Sequence, residues 1–210
     1  FIEGSRYGID ADDTSFLTGL RPQPPFTALD TSFASVNAKQ TSVDEIMRHV
    51  PLFIIHKGKF YPGLAMQTVI RTYGLRPDQI RIKPGVAVTL VDTPEGTINI
   101  PIDEHGQIRI NYGLLESLSK ATRTYSDLYA AAMDPDRTDV AREHFADTTV
   151  VVGNASSGNS DVVVTPMGRL PGVAVQAMAL ENLLSGRHLR DLSPGLSALA
   201  IVALPILFAM

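Results

Sequence analysis

The residues best equipped for chemistry stand together in Gly153-Asn154-Ala155-Ser156-Ser157-Gly158-Asn159-Ser160-Asp161. An apolar, β-branched run, Thr148-Thr149-Val150-Val151-Val152, leads straight into them. A strand that opens into a Gly/Ser/Asn loop presents backbone N–H groups, hydroxyls and amides that can hold an anion or a polar ligand. Ser156, Ser157, Asn159 and Asp161 are therefore the candidate ligand contacts. The loop is not a P-loop, because no Lys-Ser or Lys-Thr follows its second glycine. Neither Ser156 nor Ser157 has the flanking glycines of a nucleophile elbow. The same composition equally suits a surface turn in which serine and asparagine satisfy nearby backbone groups. Asn154-Ala155-Ser156 also fits a glycosylation acceptor, which matters only in a eukaryotic secretory setting.

Other constellations fall short of a signature. Asp10-Ala11-Asp12-Asp13 opens like a calcium loop, but Ser15 and Arg21 occupy the places that need glycine and glutamate. It reads as a solvated acidic turn. The histidines are His49, His56, His105, His144 and His188, none at the i, i+4 spacing of a zinc-binding helix. They read as surface or boundary residues. Asp103, Glu104 and Asp147 are turn carboxylates, and an acid pair would require spatial proximity. No catalytic residue, metal or cofactor is expected.

The elements that must position the loop are legible from periodicity. Val50-Pro51-Leu52-Phe53-Ile54-Ile55-His56, the turn Lys57-Gly58-Lys59 and Phe60-Tyr61 predict a hairpin. Pro62 suits a first helical turn, and Leu64, Ala65, Thr68, Val69 and Thr72 share a face up to Gly74. Strands are expected at 80–82, 86–91, 98–102 and 107–112, as a β-rich meander. A helix is expected over 116–132, broken by Asp134-Pro135-Asp136. The runs 148–153 and 162–164 read as further strands, the first continuous enough to be covered on both faces. Pro171-Gly172 opens a last helix with Val173, Ala177, Leu180 and Leu184 on its core face and Gly186 at its end. The fold class is mixed α/β, with α+β as the alternative.

Composition narrows the function. The chain has 210 residues, 44% apolar and 19% charged, with net charge −4. That is one domain, or one domain with an attachment. An acidic chain with a pI near 5.7 lacks the basic footprint of a nucleic-acid binder. With no cysteine, disulfides and thiolate sites are excluded. Residues 1–35 are polar and proline-rich and read as an irregular remnant of a larger unit, beginning on Phe1 with no signal pattern. Residues 192–210 carry no charge, close to the ~20 residues that cross a bilayer, and are expected to start a transmembrane helix. Pro205 would kink such a helix, which membrane bundles tolerate. Arg187, His188 and Arg190 before it hint weakly at a cytoplasmic flank.

A family resemblance runs through these pieces. It is carried by Val36-Asn37, Arg48-His49-Val50-Pro51-Leu52, Phe60-Tyr61-Pro62-Gly63-Leu64-Ala65, Ile100-Pro101-Ile102-Asp103 through Gly106, and Ile110-Asn111-Tyr112. It continues with Val150-Val151-Val152-Gly153, Asp161, Thr165-Pro166, and Pro171-Gly172-Val173 through Leu183-Leu184-Ser185-Gly186. In this order they resemble the CHASE type 2 sensors over about residues 36–190. The resemblance implies an extracytoplasmic input domain of a bacterial receptor (residues 36–191), followed by several transmembrane helices starting within 192–210. It implies an output domain beyond them: a nucleotide cyclase, histidine kinase, diguanylate cyclase or serine/threonine kinase. A first transmembrane helix and an initial α/β unit should precede the chain. On this reading the residues before Leu192 face outward, against the charge hint.

Two departures accompany the resemblance. The last helix of the family usually carries a histidine before its alanine, where this chain has Gln176 before Ala177, so no proton or ligand role carries over. The stretch 114–145 is longer than the family's connection and could serve pairing between subunits or cover the sheet. The expected partners are the membrane, an unidentified small-molecule or periplasmic signal, and a second copy of the receptor, with no nucleic acid. Two rival readings stand beside it. One is an extracytoplasmic hydrolase using Ser156 or Ser157 with a distant histidine, and the other is a ligand-free dimerisation module.

Overall fold

In the computed structural model, residues 2–3, 34, 44–56, 59–134, 142, 145–155, 161–190 and 201 are described. Every strand pairing among them is antiparallel, so the mixed helix–strand expectation resolves to the α+β alternative. Ile2–Glu3 (β1) pairs with Lys59–Pro62 (β4), which turns back on Phe53–His56 (β3). His49–Pro51 (β2) pairs instead with Gln107–Arg109 (β8). The β3–β4 hairpin is the one predicted from the sequence, and Phe53 and Phe60 meet edge to face across it at 5.9 Å. Pro62 closes β4 rather than opening a helix. The Gly63 N–H donates to the Leu52 carbonyl at 2.8 Å and carries the pairing past the proline. Helix α1, Leu64–Thr72, therefore starts later than predicted.

Three of the four expected meander strands form one sheet as their alternation dictates, while the fourth, expected over 107–112, is shorter (β8, 107–109) and pairs with β2 instead. Ile80–Lys83 (β5), Ala87–Thr93 (β6) and Gly96–Pro101 (β7) make one sheet in that order. Ile80, Ile82, Val88, Leu90 and Ile100 point to the core, while Arg81 and Lys83 face solvent. The single helix expected over 116–132 is two, Leu115–Ala121 (α2) and Tyr125–Met133 (α3). The break is local chemistry. Arg123 donates to the carbonyls of Lys120 and Thr122, and Thr122 Oγ1 donates to the Leu118 carbonyl, closing α2. Thr124 then caps α3 by accepting from the Asp127 N–H.

Val162–Thr165 (β9) and Gly168–Pro171 (β10) form a terminal hairpin that runs directly into Gly172–Leu184 (α4). Its turn copies that of β6–β7. In Thr93-Pro94-Glu95-Gly96, Thr93 Oγ1 donates to the Gly96 carbonyl at 2.7 Å and accepts from the Glu95 N–H at 3.1 Å. In Thr165-Pro166-Met167-Gly168 the same bonds measure 2.7 and 3.2 Å. Proline sets the first corner, and the glycines take φ of +91° and +102°, open to residues without a Cβ. Both threonines are buried, so each hydroxyl is fully employed inside the fold.

Helices α1 and α4 pack against each other and share the core with the sheets. Ala65, Met66 and Val69 are buried on α1. On α4 the buried set is Val175, Gln176, Met178, Ala179, Leu180, Asn182 and Leu183. Of the predicted face, only Leu180 is in that set; Val173, Ala177 and Leu184 are half-buried. A helix covered from several sides has no single apolar stripe for periodicity to find. The predicted strand over 148–153 is also corrected. Residues 148–155 carry no strand pairing; Val151 packs on the core while Val150 and Val152 are 52% and 83% exposed. With only one face covered, the run alternates instead of being sandwiched. Among the described residues no helix is long and apolar enough to cross a membrane. The run 192–210 lies outside the described residues except for Ile201, as do residues 10–13.

One buried amide ties α4 to the sheet layer. Asn182 is 1% exposed, and its Oδ1 accepts from the Asn111 N–H at 2.6 Å while Nδ2 donates to the Asn111 carbonyl at 3.3 Å. The side chain thus pairs with both backbone groups of one residue, as a neighbouring antiparallel strand would. Next in sequence, Tyr112 donates from its hydroxyl to the Met47 carbonyl at 2.7 Å, and the Met47 N–H donates to the Val164 carbonyl at 2.8 Å.

Replacing Asn182 by leucine keeps the volume but strands two buried backbone groups, and should cost about 2–3 kcal/mol. Denaturant midpoints would show it; a loss under about 0.5 kcal/mol would contradict the pairing. Burial pushes the Tyr112 hydroxyl up to about 12. Because the folded state favours the neutral phenol, its contribution is complete below the ordinary value near 10 and is lost as pH climbs toward 12. Alkaline unfolding curves of the parent and Tyr112→Phe should therefore converge over that interval, and a constant offset would refute the assignment.

Candidate functional site

The candidate loop is held at both stems by the first turn of α4. On the leading side, Gly153 lies so close to Val173 that a Cβ there would stand 2.5 Å from the valine Cβ. On the trailing side, the Asp161 carbonyl accepts from the Gly172 N–H at 2.9 Å. The Asp161 carboxylate rests against the same residue, since a Cβ on Gly172 would run into its Oδ1. A carboxylate beside a helix N-terminus is favoured by the partial positive charge of the unpaired N–H groups. Asp161 therefore has a structural task in seating the loop on the helix. Of the other candidates, Ser156, Ser157 and Asn159 lie outside the described residues.

The anchors on the helix side were not among the candidates. Gly172 and Val173 stood in the sequence as a helix start and a core position, and nothing in their types announced that a loop would rest on them. The apolar flank is also notable: Val150, Val152, Val164 and Met167 are all exposed. Among the described residues no three of His, Asp and Glu converge as a metal site. The serine–histidine pair that a hydrolase would need falls on serines outside the described residues. His49 is half-buried on β2 and His105 is exposed in a turn.

Two buried side-chain atoms among the described residues have no hydrogen-bond partner: Gln176 Oε1 and His188 Nδ1. Gln176 sits one turn into α4 with only 8% of its surface exposed. An unpaired buried acceptor costs about 1–3 kcal/mol, a penalty that a merely structural position would shed by carrying an apolar residue. Gln176→Met should therefore raise the unfolding free energy by about 1 kcal/mol. A drop in stability, measured by urea denaturation, would mean that the amide is satisfied in solution. Gly172→Ala, which drives a methyl into the Asp161 carboxylate, should lower the thermal midpoint and disturb the loop without touching the β5–β7 meander. Chemical-shift changes spread evenly over the sheet would refute that coupling.

No curated protein and no solved structure matches the chain. The CHASE2 domain model matches it over residues 4–210, nearly its whole length. The chain therefore belongs to the CHASE2 domain family of sensory, non-catalytic input domains.

Proposed function

We propose that the chain is the extracytoplasmic sensing domain of a bacterial membrane receptor. A stimulus at the loop 153–161 is passed by α4 to transmembrane helices that begin within 192–210. From there it reaches a cytoplasmic output domain such as a nucleotide cyclase, histidine kinase, diguanylate cyclase or serine/threonine kinase. The observation that carries this reading is that one helix serves both ends. Its first turn holds the stems of the loop, and its last turn is separated from the uncharged run only by the short connector 185–191. A helix of this length moves as a rigid rod, so a shift at Gly172 reappears at Ser185. The signal is a small molecule or periplasmic factor that binds the two arrangements of α4 with different affinity; equal affinity would transmit nothing. The receptor acts as a homodimer.

The test is mechanical. Three flexible residues inserted between Arg190 and Ser193 of the full-length receptor should abolish control of the output activity while leaving its basal level in place. Regulation that survives the insertion would overturn the proposal.

A further inference from the structure

The connector that follows α4 contains the second orphaned atom. His188 is half-buried, its Nδ1 is sealed from solvent, and no hydrogen-bond partner reaches that nitrogen. A neutral imidazole can place its proton on Nε2 and leave Nδ1 as a bare lone pair, the cheaper of two unsatisfied states. Adding a proton changes this. Both ring nitrogens become donors, and the one at Nδ1 points at nothing that accepts it. The charges along this stretch are Glu181 on the last turn of α4, Arg187, Arg190 and, outside the described residues, Asp191. After burial itself, the charge acting on the ring is that of Arg190, and it repels a proton; no carboxylate among the described residues offsets it.

We propose that the connector 187–190 is a proton-operated latch: neutral His188 holds it against the domain, and protonation expels the ring and frees the chain leading to residues 192–210. The ring's affinity for a proton is lowered from the ordinary value by burial and then by Arg190. The sign follows. The docked connector is fully favoured above the ordinary histidine value near 6.5, and its advantage is lost as pH falls from there through the lowered value of the docked ring. Gly186, with φ of +66°, supplies a flexible joint between α4 and the latch, so release need not unravel the helix. The latch deepens the sensing function by naming acid as a stimulus at the exit of the domain, and it is independent of any ligand at the loop 153–161.

The absence of cysteine makes the test clean, since a single nitroxide can be placed by Arg187→Cys in the intact 210-residue chain. Its spectrum should show a mobile fraction that grows at least severalfold and reversibly between pH 7.5 and 5, with a midpoint below 6.5. In the His188→Gln background the spectrum should not respond to pH, and in His188→Lys the mobile fraction should already be high at pH 7.5. A pH response that survives His188→Gln overturns the latch. Should these variants fail to fold, the ring proton of His188 in the unsubstituted chain decides by NMR. Titration below the ordinary histidine value near 6.5 supports the latch, and titration at or above that value overturns it. These readouts concern the connector alone, so they can fail while the receptor function stands, and the insertion test can fail while they succeed.

Discussion

The pairing of the Asn182 carboxamide with the Asn111 peptide is the constraint on which the rest of the domain depends. It is formed between residues 71 apart in sequence, and its amide comes from a side chain only 1% exposed, which has little water to fall back on. Its geometry admits one axial position and one rotation of α4 relative to the strand end after β8. An apolar contact would tolerate sliding by a fraction of a turn, whereas a two-point hydrogen bond does not. Tyr112 and Met47 extend the same fixation to the terminal hairpin through Val164. The helix is therefore anchored near its C-terminal end by polar pairing and at its N-terminal end by close packing against Gly153 and Asp161.

Several buried polar groups fall into two kinds. Thr93, Thr165, Gln79 and Asn182 are all buried and all satisfied, and each fixes a turn or a docking geometry. Gln176 and His188 have buried atoms left unpaired, and both belong to α4 or its exit. Both unpaired atoms therefore fall in the last described helix or just after it, although that helix also carries the fully satisfied Asn182.

Much of the architecture was legible in the residues. The β3–β4 hairpin, the three meander strands and the helices after Gly63 and Pro171 follow from alternation, from turn residues and from Gly74 and Gly186 standing just past helix ends. What failed did so for identifiable reasons. Val150-Val151-Val152 looks like a sandwiched strand because composition reports hydrophobicity and not whether a neighbour exists to cover it. The buried face of α4 was misplaced because a helix with several covering partners mixes its periodicity, and because two of its inward residues are amides. The break in α2–α3 rests on Thr and Arg side chains competing for backbone groups, which a search for apolar spacing overlooks. The twin Thr-Pro-x-Gly turns pass unnoticed as a repeat because four residues with a variable third are too short to stand out. Of the candidate site, Asp161 has a definite position, and its role is set by a helix start that no polar residue type advertised.

The late position of α4 has a consequence for how the domain comes into being. The strands and helices from 44 to 134 are made first, yet they lack Val175, Met178, Leu183 and the amide that satisfies Asn111 until the last described helix has been synthesised. Contacts of such long sequence separation form slowly, because a large loop must close before any of them rewards the chain. Residues 44–134 thus wait with an open core flank while some fifty further residues emerge, a window in which a holdase would find exposed apolar surface. Completion of the core and arrival of α4 are one event, so a chain truncated before residue 184 is never a smaller sensor; it is an unfinished core.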